Sequence, residues 1–135
     1  MLEEKIRKRK ARIGVVGLGY VGLPLAKTFL KSGFSVYGFD VDEKKVELLN
    51  KGKSYIKHVT TDDLIPFLNS HVFQATTDFS FLREMDVIVI CVPTPLDSHR
   101  NPDLSYVIRT TEAISKTLKN ILKAGWPLSS RKGRN

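Results

Sequence analysis

Three glycines, one carboxylate, a lysine and a threonine hydroxyl are the groups of this 135-residue chain whose spacing could do chemistry. Gly17, Gly19 and Gly22 fall in the run Gly17-Leu18-Gly19-Tyr20-Val21-Gly22, and Asp40 follows the last of them by 18 positions (22 to 40). A main chain without Cβ atoms can approach a polyanion, and an acid about 20 residues on is spaced to accept hydrogen bonds from an adenosine ribose. The pattern therefore describes a grip on a dinucleotide. Gly17 turns the chain sharply out of a strand, Gly19 admits a pyrophosphate to backbone amides, and Gly22 lets a helix pack closely on a sheet. That helix starts near Tyr20 and Val21 and directs its free N–H groups and positive dipole end at the phosphates. A carboxylate at position 40 repels a 2′-phosphate, so NAD is expected rather than NADP. The competing reading is a flexible glycine loop with Asp40 capping the next helix. Asp42 can supply that cap and leave Asp40 for a ligand. Lys45, on the opening turn of the following helix, is either within reach of the adenosine or an ordinary exposed lysine. Pro93-Thr94-Pro95 is a stiff loop from which Thr94 offers a hydroxyl to a ribose or nicotinamide, with a plain strand-ending turn as its alternative.

Other reactive side chains lack the surroundings for a reaction. Cys91 is the single cysteine and lies inside an apolar run, which marks a buried structural thiol rather than a nucleophile. His58, His71 and His99 have no metal-ligand spacing and read as surface or satisfied histidines. No catalytic residue and no metal site is expected.

The elements that must position the cleft follow from hydrophobic period and punctuation. Strands are expected at 12–16, 35–39, 73–75 and 86–92. The last (Asp-Val-Ile-Val-Ile-Cys-Val) is a continuous apolar run that suits a parallel strand covered on both faces. Helices are expected from about Tyr20 to Gly33, with Pro24 in the first turn and Val21, Leu25 and Phe29 as the buried stripe, and at 43–50, ending at Gly52. A third helix over 63–69 is interrupted or delayed by Pro66, and Thr77 or Asp78 caps one helical turn. Asp103 caps a last helix that aligns Val107, Ile114, Leu118 and Ile121. Alternation of strand and helix predicts an incomplete, doubly wound (Rossmann-type) parallel α/β sheet of order 3-2-1-4. Ligands then bind beyond the carboxyl ends of the strands, where the order reverses.

The net charge of +8 suggests a nucleic-acid partner until it is located. Residues 1–12 hold six basic and two acidic side chains, residues 123–135 hold four basic and none acidic, and residues 13–122 hold twelve of each. The domains expected are a basic leader (1–11), a neutral dinucleotide-binding domain (12–122) and a basic tail (123–135). The leader is read as a solvated stretch, with a nucleic-acid or anionic-membrane arm as the alternative. No apolar run reaches the ~18 residues of a membrane span, and one cysteine excludes an internal disulfide, so a soluble cytoplasmic protein is expected.

With these residues in place, the chain resembles the nucleotide-sugar dehydrogenases, the family of UDP-glucose and GDP-mannose dehydrogenases. The resemblance spans residues 12–122. It is carried by residues 17–26 (Gly-Leu-Gly-Tyr-Val-Gly-Leu-Pro-Leu-Ala), Gly38-Phe39-Asp40-Val41-Asp42, Leu49-Asn50-Lys51-Gly52, Thr76-Thr77-Asp78, Cys-Val-Pro-Thr-Pro-Leu at 91–96 and Pro-Asp-Leu-Ser-Tyr-Val at 102–107. Together with Ser-Tyr-Ile-Lys-His-Val at 54–59, these blocks look most like the subgroup oxidising UDP-N-acetylhexosamines, such as UDP-N-acetylglucosamine 6-dehydrogenases. The resemblance implies NAD contacts at Gly19, Tyr20, Val21, Gly22, Asp40, Lys45 and Thr94, and an oxidoreductase of polysaccharide biosynthesis. It also implies two hydride transfers that carry a sugar's carbon-six alcohol through a thiohemiacetal and a thioester to a uronic acid, with a thiolate nucleophile and acid–base partners. Family members continue into a fifth strand, a Ser-Thr turn, a linking helix and a sugar-binding domain that bears the catalytic cysteine and lysine. Residues 124–135 match neither the strand nor the turn. The chain is therefore expected to be truncated after about residue 122, through a shifted frame, an early stop or a cloning boundary. It is then expected not to oxidise a UDP-sugar alone and to self-associate through its exposed fourth strand. The alternatives are a non-catalytic nucleotide-binding module and nucleic-acid binding through the basic termini.

Overall fold

The computed structural model describes residues 1–56 and 59–123, the side chains of 118–123 excepted. Four parallel strands, β1 (Arg12–Val16), β2 (Ser35–Phe39), β3 (Phe73–Thr76) and β4 (Val87–Ile90), form one sheet in the order β3-β2-β1-β4. This is the incomplete doubly wound sheet that the strand and helix alternation predicts. Val16 pairs with Phe39 on one side and Ile90 on the other, and Phe39 pairs with Thr76, so the four carboxyl ends finish level. The connections are α2 (Gly22–Lys31), α3 (Glu43–Asn50), α4 (Thr61–Asn69), a 3-10 helix (Phe79–Glu84) and α5 (Ser105–Lys123), preceded by α1 (Leu2–Arg7).

The two faces of the sheet separate by the strand period of two. Ile13, Val15, Val36, Phe73 and Ala75 point into the larger core with Leu23, Ala26 and Leu30 of α2 and Leu64 of α4. Val16 and Phe39 point the other way, onto Leu82 of the 3-10 helix, with Tyr37, Ile88 and Ile114 packed around them. Each fully buried leucine contributes roughly 1.5–3 kcal/mol, so the larger core dominates the fold.

Several expectations are corrected. The stripe on α2 is Leu23, Ala26 and Leu30, because the close meeting of Gly22 with Gly17 sets the helix phase, and the helix begins at Gly22 rather than Tyr20. Val21 is its N-cap and is 68 % exposed, while Leu25 and Phe29 are only half-buried. The fourth strand is shorter than 86–92 and is not covered on both faces: its first three residues are half-buried and Ile90 is 45 % exposed. It forms one edge of the sheet among the described residues. At the opposite edge the Asn50 side chain accepts from the Ala75 N–H at 3.0 Å and donates to the Ala75 carbonyl at 2.9 Å, which blunts β3. The leader forms a helix and is tethered, although residues 1–10 are all exposed. Lys5 pairs with Asp86 at 3.2 Å, and Arg9 Nε donates to the Ser32 carbonyl at 2.6 Å. Asp86 is pushed up by burial, but the Arg12 N–H and Lys5 outweigh this and hold its carboxyl below the usual range. His58, the side chains of Leu118 and Ile121, and the tail 124–135 lie outside what the structure describes. His71 and His99 are exposed.

The helix expected over 63–69 starts two residues earlier and runs through Pro66 without a break. Thr60 and Asp63 form a reciprocal capping box: the Asp63 N–H reaches Thr60 Oγ1 and the Thr60 N–H reaches Asp63 Oδ2 at 2.8 Å. Asp63 also pairs with Lys27 of α2 at 3.1 Å. The Thr60 N–H, then Lys27 and the Thr60 hydroxyl, lower its pKa from 3.8 to about 2. A depressed carboxyl pKa stabilises the fold above its unfolded value, and that contribution disappears as pH falls through the folded one. Asp63→Asn should therefore lower the urea midpoint at neutral pH, and its deficit relative to wild type should shrink between about pH 4 and pH 2. A deficit that stays constant across that window in a urea series would show that the charge at position 63 does not matter.

Candidate functional site

A cleft of about 660 Å³ opens at the carboxyl ends of the strands, where the order reverses between β1 and β4. Every residue singled out from the sequence lines it, with one exception. Gly17, Gly19, Tyr20 and Val21 form one wall, Asp40 and Lys45 a second, and Pro93 and Thr94 a third. Gly22 does not line the cleft but stands behind the turn.

The three glycines differ as their spacing suggests. Gly17 has φ +97°, and a Cβ there would lie 2.4 Å from the Cys91 carbonyl oxygen. At Gly22 a Cβ would fall 1.7 Å from the Gly17 carbonyl oxygen, so α2 can meet β1 this closely only without a side chain. At Gly19 a Cβ would meet nothing within 4 Å. Open space in front of Gly19 is the room a bound group needs. Val21 has no side-chain cap, and the N–H groups of Gly19, Tyr20, Val21 and Gly22 have no protein acceptor among the described residues. Unpaired amides at a helix start, beside the open space at Gly19, suit an anion.

Asp40 lines the same cleft and is held at both oxygens. Oδ2 accepts from the Leu18 N–H at 2.9 Å and Oδ1 from the Asp42 N–H at 3.0 Å. Asp42 caps α3 by accepting from the Lys44 and Lys45 N–H groups, as expected. Asp40 is thus not idle without a ligand: it locks the glycine turn to the end of β2, and each of its oxygens keeps acceptor capacity. Cys91 also touches the cleft, but burial pushes its thiol pKa up, and its Cβ packs toward Gly22. It carries no activated thiolate. Among the described residues no group of three metal-ligating side chains exists, and no helix is long and apolar enough to cross a membrane.

Two sets of residues were not legible as site residues. Tyr106, Arg109 and Thr110 bring the first turns of α5 to the cleft. Their spacing of three and four is a helical face, and it could have been noticed beside the apolar one. Arg109 joins Lys45 as a second cation lining the cleft, which Asp40 and Asp42 also line. Tyr55 lies just outside the cleft, where its hydroxyl donates to the Leu18 carbonyl. Nothing in the irregular segment after Gly52 announced it.

Comparison with known proteins agrees with this geometry. Residues 11–123 match the model of the UDP-glucose/GDP-mannose dehydrogenase family, NAD binding domain. The chain is similar to protein CapL of Staphylococcus aureus (38 % identity over 106 residues, 78 % of this chain and 24 % of that protein). It is also similar to UDP-N-acetyl-D-glucosamine 6-dehydrogenase of Pseudomonas aeruginosa (36 % over 108 residues, 80 % and 25 %). Among solved structures it resembles a GDP-mannose dehydrogenase ternary complex from P. aeruginosa, with TM-score 0.76 and 34 % identity over 79 % of this chain and 25 % of that one. It likewise resembles a UDP-D-ManNAc dehydrogenase from Pyrococcus horikoshii, with TM-score 0.73 and 34 % identity over 78 % and 25 %. The chain spans about a quarter of the length of these relatives. Sequence, sheet order and glycine geometry agree, and the chain belongs to the UDP-glucose/GDP-mannose dehydrogenase family, in its NAD binding domain.

Proposed function

We propose that this chain binds NAD in the cleft and serves as the cofactor-holding part of a nucleotide-sugar 6-dehydrogenase whose substrate is a UDP-N-acetylhexosamine. One observation carries the cofactor reading: the amides of residues 19–22 have no protein acceptor among the described residues, Gly19 borders open space, and Asp40 lines the same cleft. The amides and the positive end of α2 suit a pyrophosphate, and the remaining acceptor capacity of Asp40 suits ribose hydroxyls. Lys45 and Arg109 balance phosphate charge, and Thr94 offers a hydroxyl beside the β4 end. When bound, NAD supplies the hydride acceptor for oxidation of an alcohol. The names of relatives that act on UDP-N-acetyl-D-glucosamine and UDP-N-acetyl-D-mannosamine support the sugar class.

On this reading the chain holds and orients the cofactor and supplies no nucleophile, since Cys91 is an unactivated thiol that packs toward Gly22. Titration calorimetry of the 135-residue chain with NAD, NADP and a UDP-N-acetylhexosamine tests it. Heat with NAD, far weaker heat with NADP and no NADH on adding the sugar are expected. Absence of any NAD signal from folded protein would remove the cofactor reading. NADH formation would show that the described residues do carry out the oxidation.

A further inference from the structure

The phenol of Tyr55 is a half-buried polar group to which NAD binding, as described above, gives no task. It sits under the glycine turn. Its hydroxyl donates to the Leu18 carbonyl at 2.5 Å, a contact that spans 37 positions of sequence. The Leu18 N–H donates to Asp40 Oδ2, so both polar groups of a fully buried residue are satisfied by side chains rather than by the sheet. The consequence lies in the peptide plane. The Leu18 carbonyl and the Gly19 N–H belong to one planar trans unit and point in opposite directions. Holding the carbonyl on Tyr55 therefore aims the N–H of Gly19, a residue that lines the cleft and borders open space, away from Tyr55. Asp40 fixes the preceding plane in the same way. The Tyr55 ring also lies beneath the Lys45 ammonium, 5.7 Å from ring centroid to Nζ. A cation over an aromatic face is attracted to it, so the ring seats the lysine that reaches the cleft.

We infer that Tyr55 is a positioning residue for the dinucleotide cleft, aiming the first of the unpaired amides through Leu18 and seating Lys45 through its ring. It does not line the cleft and acts only through these two neighbours. Burial, reinforced by the nearby charges of Asp40 and Asp42, pushes its phenol pKa well up, so it remains a hydrogen-bond donor at any working pH. The inference rests on the proposal that NAD occupies the cleft, and its test keeps the two apart.

The experiment compares wild type, Tyr55→Phe and Tyr55→Leu in the full chain by NMR relaxation and NAD calorimetry. Tyr55→Phe keeps the ring and loses only the hydroxyl, so NAD affinity should fall about tenfold, the equivalent of one buried hydrogen bond. The Gly19 amide should lose order while the amides of β1 and β2 keep theirs. Tyr55→Leu should weaken NAD further by releasing Lys45. Unchanged Gly19 order in Tyr55→Phe would overturn the inference. So would a loss of order spread evenly over the sheet, because a purely structural tyrosine would produce that. Wild type that gives no NAD signal would sink the cofactor proposal, while the Gly19 comparison, made without ligand, would still decide whether Tyr55 aims the turn.

Discussion

Gly22→Ala is expected to destabilise the chain by about 3 kcal/mol or more, enough to prevent folding of a marginal domain, whereas Gly19→Ala should leave the fold intact and weaken NAD binding by about a hundredfold. The asymmetry follows from what each new methyl group meets. At position 22 it would lie 1.7 Å from the Gly17 carbonyl oxygen, a backbone atom locked in the β1 turn that cannot move aside. At position 19 it would meet no protein atom within 4 Å, and Gly19 is not among the glycines with positive φ, so alanine is neither crowded nor strained there. The same methyl group would occupy the space a pyrophosphate needs, and affinity should drop by about a hundredfold. Urea unfolding followed by NAD calorimetry on each variant distinguishes the two effects. If Gly19→Ala binds NAD as wild type does, the phosphates do not rest on this turn.

Asp40→Ala is expected to lower stability and nucleotide affinity together, because its carboxylate has both tasks. Its two oxygens hold the Leu18 and Asp42 N–H groups at 2.9 and 3.0 Å, and losing a charged acceptor leaves donors unpaired, at a cost of about 2 kcal/mol for this half-buried site. NAD should also lose its ribose partner. NADP, whose extra phosphate is repelled by the carboxylate, should lose less or gain, so the preference for NAD should shrink by about tenfold or more. Dissociation constants for both nucleotides, measured under conditions where the variant is folded, test this. An unchanged NAD-to-NADP ratio would mean that Asp40 holds the turn and reads no ribose.

The edge at β4 gives the self-association expectation a physical basis. Its ladder is unpaired on the outer side among the described residues, and Ile90 is 45 % exposed there, whereas β3 is blunted by Asn50. We propose β4 as the face through which two copies would pair, so that mass should rise with concentration and a constant monomer mass would overturn it. Light scattering over a concentration series reads this directly.

The glycine spacing, the acid at position 40 and the alternation of apolar runs determined the sheet, its order and most of the cleft before any coordinates, because each is a short-range pattern with one steric meaning. Asp42 as a cap and Gly33 and Gly52 as helix ends are equally local, and all three appear as expected; the two glycines take φ +95° and +78°. Only the tertiary structure decided that Leu23, Ala26 and Leu30 rather than Val21 face the core, since the helix phase depends on where Gly22 meets Gly17. It alone decided that Asn50 covers β3, that Tyr55 supports Leu18 and that Arg109 lines the same cleft as Asp40. The two hydrogen-bonded pairs are 25 and 37 positions apart, brought together by chain crossings. Spacing along a chain reports which neighbours share a face of one element; it holds no information on which distant side chain arrives beneath a turn once the sheet has closed.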